Sequence, residues 1–226
     1  YAYWSEGKQG KHDRPRSVAQ GKPNAFGVYD MHGNVWEYVA DWWHEFDHKD
    51  WPLNDPTGPA EQHERGDLRR IIRGSSYDWD SWGGDSAYRM RITQRSSQHP
   101  HQGFRVAMRI KGVKGVAPAV YPDQEQRSKS RDPGRDSKEV LAALKAGESG
   151  KNYPKELRID LGAEARMEFV LIPAGTFLMG SAKGARDETP VHRVVISRPF
   201  YMARFPLTQS QWKAVMGDDK GLAKLW

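Results

Sequence analysis

No cysteine occurs among the 226 residues. That removes disulfides, thiolate metal sites and a cysteine nucleophile together, and it leaves the redox compartment open. Long apolar runs are missing as well: nothing approaches the roughly 20 residues that cross a bilayer, so no membrane span is expected. The opening "YAYWSEGKQG" is not a signal peptide and reads like the interior of a domain. Charge of one sign is nowhere concentrated, although the formal net charge is +6. Residues 1–111 carry 16 basic and 15 acidic side chains, 112–160 carry 10 and 8, and 161–226 carry 9 and 6. Without a basic stripe, no nucleic-acid partner is expected.

What the chain does hold is aromatic: seven of its nine tryptophans, with seven of its eight histidines, fall before residue 112. A hydrophobic content of 37% can build a core, yet the mean hydropathy of −0.84 places part of the chain outside one. In "GVYDMHGNVWEYVADWW" (27–43), Trp36, Tyr38, Ala40 and Trp42 alternate with Val35, Glu37, Val39 and Asp41. This period predicts a strand leaving a turn at His32, Gly33 and Asn34. In "GFRVAMRI", Phe104, Val106, Met108 and Ile110 alternate with Arg105, Ala107, Arg109 and Lys111, which predicts one half-buried strand.

From Gly112 to Asp160 the composition turns polar, and "YPDQEQRSKSRDPGRDSKE" holds too few apolar residues to offset its ordering entropy. This segment is read as a linker, interrupted by one helix that Ser137 caps and Gly147 ends. Beyond it, "MEFVLIPAGTFLMGS" sets two apolar runs around Pro173, Ala174 and Gly175 in the manner of a hairpin. "RVVIS" and "FYMARF" read as strands, and Thr208 with Gln211 forms a capping box for a helix carrying Trp212 and Val215 on one side.

Two metal motifs fail on inspection. "HEFDH" matches the zinc-protease spacing at His44 and His48, but it follows a predicted strand and lacks a third ligand. "DWDSWG" starts like an EF-hand loop but puts Trp82 at the fifth position and Arg89 at the twelfth. Arg73, Arg89, Arg91 and Arg105 are read as bridges from loops to carbonyls and carboxylates. Trp79, Trp82, His99 and His101, with Arg89, are candidate ligand contacts, or else ordinary loop packing.

The sequence resembles the sulfatase-modifying factor family, whose founding member is the formylglycine-generating enzyme and whose fold is related to C-type lectins. The resemblance rests on "KPNAFGVYDMHGNVWEYVADWW", "DPTGPA", "RRIIRGSSYDW", "SAYRMR" and "GFRVAMR" in the first segment. In the last it rests on "EFVLIPAGTFLMGS", "DETPVHRVVIS" and "PFYMARFPLTQSQWKAVMG". It implies an α+β, loop-rich, C-type-lectin-like fold, either incomplete or permuted, with a polar linker. The order is reversed, since elements that close the family domain come first, and the middle of that domain is absent. Residues 1–111 therefore read as the C-terminal part of one such domain, 112–160 as a linker with a short helix, and 161–226 as the N-terminal part of a second. The other arrangement is a single permuted domain.

In relatives the turn matching Asp30 to Glu37 resembles a calcium site. The resemblance thus implies Ca²⁺ held by the side chains of Asp30 and Glu37 and the carbonyls of Gly33 and Val35, a set of hard oxygens. The copper-binding redox cysteines of the founding enzymes match approximately Trp79 and Ala87, so neither copper nor the founding oxidation is expected. The implied function is a non-oxidase binding or accessory module of a bacterial-type tandem protein, with a protein, peptide or glycan as ligand. The alternatives are an enzyme of the cysteine-less branch, of the sulfoxide-synthase or tailoring type, and a retroelement-diversified, lectin-like ligand-binding protein.

Overall fold

The computed structural model describes residues 14–43, 53–57, 69–79, 84–93, 99–110, 153–162 and 164–217. Within them run β1 (Trp36–Trp42), β2 (Arg69–Arg73), β3 (Met90–Thr93), β4 (Gln102–Phe104) and β5 (Ala107–Arg109). The second segment adds β6 (Glu156–Gly162), β7 (Ala165–Ile172), β8 (Gly175–Met179), β9 (His192–Ile196), β10 (Phe200–Ala203) and helix α1 (Gln209–Met216). Strands dominate over one short helix among the described residues, so the observed class is β-rich and loop-rich where an α+β fold was expected. No helix among them is long and apolar enough to cross a membrane. The predicted helix at 137–147, the His44/His48 motif and Trp82 lie outside the described residues.

The first sheet has the order β3-β2-β1-β4, with β1 and β4 parallel and the other pairs antiparallel. Its core is Trp36, Ile72 and Ile92, backed by Tyr38, Trp79, Tyr88 and Met90. Trp36 is fully buried and meets Trp79 edge-on at 5.9 Å and Tyr88 at 6.0 Å, favourable aromatic geometry. The predicted alternation along β1 holds only at its start. A register shift between Tyr38 and Trp42 interrupts it, and Ala40 is exposed.

The second sheet, β5-β10-β7-β6, buries Met167, Phe169, Tyr201 and Ala203 under Val106, Met108 and Leu171. Three expectations are corrected here. The linker ends by Glu156, since Leu157 and Leu161 alternate within β6 and pack on this core. "GFRVAMRI" forms two short strands in two sheets: β4 pairs with β1 and β5 pairs with β10. Pro173 and Ala174 do not close a hairpin, because β7 pairs with β6 and β10 while β8 pairs with β9 in a two-stranded sheet of its own.

Nor do the two segments keep separate cores. Phe200, Tyr201 and Met202 of β10 face Arg109, Met108 and Ala107 of β5 in antiparallel register. The Tyr29 amide donates to the Arg204 carbonyl at 2.9 Å, and Leu207 donates to Phe104 at 2.9 Å. Asp55 and Val195 join through an amide-to-carbonyl bond of 2.8 Å, and the Ser197 hydroxyl donates to the Asp55 carboxylate. Each segment ends in a strand edge whose unpaired groups call for a partner, and the two edges supply each other. The two segments are joined through these contacts.

The capping box at Thr208 and Gln211 is present as expected. Trp212 packs edge-on to Phe104 at 6.3 Å, whereas Val215 is exposed. The helix buries Gln211 instead, whose amide donates to the Arg166 carbonyl at 2.8 Å.

Candidate functional site

Three places gather chemistry-bearing side chains. The first is the turn at 30–37, where positive φ values at Asp30, Gly33 and Asn34 curl the backbone. Gly33 donates to the Gly74 carbonyl at 2.6 Å, and a Cβ on Gly74 would stand 3.0 Å from the Met31 carbonyl, so the approach needs glycine. The Asp30 carboxylate accepts from the Ala19 amide at 2.8 Å.

Glu37 is taken by Arg105. Nη2 donates to one carboxylate oxygen at 2.6 Å and Nε to the other at 3.0 Å, a bidentate fork. The same guanidinium donates to the carbonyls of Tyr29 at 2.8 Å and Ala203 at 3.1 Å. Only 4% of the Arg105 side chain is exposed, although strand alternation placed it outside. A fixed cation thus engages Glu37, one of the four groups from which the resemblance implies a calcium site. No group of three or more histidine, aspartate or glutamate residues converges on a metal position among the described residues.

The second place is a cleft of about 420 Å³ on the first sheet, floored by Trp36, Ile72 and Ile92 and walled by Trp79, His99 and His101. Parallel pairing of β4 with β1 builds it: the Trp36 amide donates to the His101 carbonyl at 2.8 Å, which sets the histidine loop beside the tryptophan. The rings of His99 and His101 stack at 5.0 Å and 6°. His101 Nδ1 lies 3.0 Å from Asp78 Oδ2, and the Ser76 hydroxyl donates to Asp78 Oδ1 at 2.6 Å. An imidazole held this way has its Nδ1 proton on the carboxylate and turns Nε2 away from it.

The third place is a smaller cavity of about 160 Å³ between the two segments, with Asp41, Arg73, Ala87 and Arg89 on one side and Asp187 and Glu188 on the other. Arg89 Nη1 donates to the Asp187 carbonyl at 3.2 Å. A Cβ on Gly180 would stand 2.6 Å from the Glu188 carbonyl, so a glycine is what lets that loop close. Burial, and then the neighbouring Arg89, brings the Arg73 guanidinium down to about 10. Burial, and then Asp187, pushes Glu188 up, while Asp41 rises by burial against the pull of Arg73.

The ligand candidates thus divide. Trp79, His99 and His101 meet in the cleft, and Arg89 belongs to the cavity between the segments. Gln102 and Trp36 join the cleft unforeseen, and Asp78 bonds His101 from outside the lining. Only the parallel β1–β4 pairing brings Gln102 there, and no local pattern encodes it.

The family model for the sulfatase-modifying factor enzyme 1-like domain matches residues 1–110 and 159–223. The chain belongs to this family. Among curated relatives of the sulfatase-modifying factor family, a formylglycine-generating enzyme of Streptomyces coelicolor is 35% identical over 92 residues, 38% of this chain and 26% of the relative. That of Thermomonospora curvata is 35% identical over 97 residues, 38% and 28% of the two chains, and that of Mus musculus 33% over 90 residues, 38% and 22%. The chain thus spans about a quarter of the length of the relatives it matches. Among solved structures, Treponema denticola variable protein 1 is 29% identical, with a TM-score of 0.34 over 41% of this chain and 31% of the other.

Proposed function

We propose that this sulfatase-modifying-factor protein is a binding module with a lectin-related architecture, not a cysteine-dependent oxidase. Its recognition site is the cleft of Trp79, His99 and His101, and its ligand is a protein, peptide or glycan. The observation that carries the reading is the content of that cleft: two tryptophans and two histidines converge on one concave surface. Aromatic walls with a few placed polar groups are what small binding sites present. At Trp79 and Ala87, where the resemblance puts redox cysteines, there is no thiol to exchange with a substrate.

Screening the full chain on peptide and glycan arrays tests this, with Trp79→Ala as control. Binding that the substitution removes while the melting temperature holds supports the reading, and array signals indifferent to it oppose it. Incubation with a sulfatase-motif cysteine peptide should yield no aldehyde by mass spectrometry, with or without copper.

The Ser76–Asp78–His101 chain favours a second reading, an enzyme of the cysteine-less branch with His101 as general base. Turnover of any array ligand that His101→Gln abolishes without loss of binding would select it.

A further inference from the structure

The cavity between the two segments shares no lining residue with the cleft, and its walls are of two kinds. Strands β8 and β9 present Phe177, Met179 and Ile196 to it from one face of their ribbon, and Leu53 and Pro56 add to this apolar wall. Leu53 is held there because its carbonyl accepts from the Val195 amide at 2.8 Å. Phe177 is 49% exposed and the other four are half-buried, so each still has apolar surface to cover. From the first sheet, β1 and β2 contribute Asp41 and Arg73.

Both charged groups are short of partners. Arg73 donates only through Nη1, to the carbonyls of Ser86 at 2.9 Å and Tyr88 at 3.4 Å, and its Nε and Nη2 hold no bond among the described residues. The Asp41 carboxylate makes no hydrogen bond and no ion pair among them, with Arg73 or with any other cation. Burial raises its carboxyl, the mark of a poorly solvated charge. Both side chains are half-buried, not sealed, so a ligand can reach them. Water filling the cavity would serve these two groups but leave the apolar wall wet. What serves both walls is an apolar group whose head carries an acceptor for Arg73 and a donor for Asp41. That head should be neutral, because the rest of the lining sets Asp187 and Glu188 against Arg89, and a net charge of either sign would meet its like.

We infer that this cavity binds a small neutral molecule made of one apolar ring and a primary carboxamide, the ring on Phe177 and Met179 and the amide between Asp41 and Arg73. A carboxamide carries both functions in one plane, an oxygen that accepts and an NH₂ that donates. At about 160 Å³ the cavity is of the size that holds a benzene ring, which leaves room for a short head only. The site is independent of the recognition cleft, so either can fail without the other.

Ligand-observed NMR on the full chain tests this with four probes of one shape: benzamide, benzoate, benzylammonium and toluene. Benzamide should bind roughly tenfold or more tighter than toluene, the worth of one hydrogen bond to a charged group, and both ions should bind more weakly than the amide. Asp41→Ala should bring benzamide down to the level of toluene. Ala87→Leu fills the cavity without touching either charged group and should abolish binding of every probe, and it serves as the second variant where the loss of Asp41 disturbs folding. Toluene binding as tightly as benzamide, or either ion binding more tightly, overturns the inference. Benzamide binding that survives Ala87→Leu, or that is lost in Trp79→Ala, places the probe elsewhere and overturns it too. Failure of all four probes means that the cavity holds water only, which overturns this inference and leaves the reading of the cleft standing.

Discussion

Arg105 ties the two segments together at several points. Its guanidinium reaches Glu37 from one segment's turn, the carbonyls of Tyr29 and Asp30 beside it, and those of Ala203 and Arg204 from the other segment. Arg105→Ala would leave Glu37 half-enclosed without its counter-charge, so a loss of about 3–5 kcal/mol is expected in denaturant unfolding. Adding Glu37→Gln to that variant should recover part of it, and the double-mutant cycle measures the coupling. With this cation in place, the response of the melting temperature to calcium and to a chelator tests whether an ion is held at Asp30 as the resemblance implies. A calcium-dependent rise lost in Asp30→Asn would show that the ion displaces the guanidinium.

Glu188 supplies a test of the opposite electrostatic sign. Burial, then Asp187, raises its carboxyl above the usual glutamate range, so the folded state disfavours the charged form. Stability from this group is fully present below the unfolded value, near 4.3, and is lost as pH rises through the raised folded value. Glu188→Gln mimics the protonated form. Its melting temperature relative to the unmutated protein should therefore climb as pH rises from about 4 through the raised folded value. A difference that stays flat across that range would mean the carboxylate is as well solvated folded as unfolded.

Among the elements, α1 shows what sequence can encode locally and what it cannot. The capping box was legible because Thr208 and Gln211 are three residues apart and satisfy each other's backbone groups: the Thr208 amide donates to Gln211 Oε1 at 3.0 Å, and the Gln211 amide to Thr208 Oγ1 at 3.3 Å. Thr208→Ala should cost about 1 kcal/mol, read from the denaturant midpoint. Gln211→Ala should cost more, roughly 1–3 kcal/mol, since it also strips the Arg166 carbonyl of its donor. That second role was not legible, because it depends on β7 lying beneath the helix. Strands β9 and β10 could be read from their apolar runs, whereas β6 was hidden by charges: Leu157, Ile159 and Leu161 alternate, but Arg158 and Asp160 between them made the stretch look like linker. "GFRVAMRI" misled for a different reason. Period-2 spacing says which residues share a face but not that the chain changes sheets between Phe104 and Ala107, where Arg105 turns inward.

For the molecule as a whole, the decisive unknown at the sequence level was which strands meet. Residues 1–111 and 161–226 look like ends of two domains when read in order, and pairing between residues 91 apart, as Arg109 with Phe200, leaves no trace in either segment's periodicity. The cleft was half legible for the same reason: Trp79, His99 and His101 stood out by type, while Gln102 became part of it only through the long-range pairing of β4 with β1. A protease site inserted between residues 112 and 152 tests the joined arrangement. After cleavage the two pieces should co-elute on size exclusion and melt in a single transition, because the β5–β10 pairing and the Arg105 bonds bridge them. Pieces that part on cleavage would restore two independent units.

The same β5–β10 pairing sets a delay on the ribosome. At ~5–20 residues per second, the roughly 90 residues between the two strands take about 5–20 s to synthesise. For that interval Val106, Met108 and Ile110 have emerged with nothing from the second segment to cover them, and β5 offers an unpaired edge to whatever lies nearby. Slowed translation between residues 111 and 200 would lengthen that exposure without altering the finished fold, so the yield of intact protein depends on the tempo of its synthesis as well as on its stability.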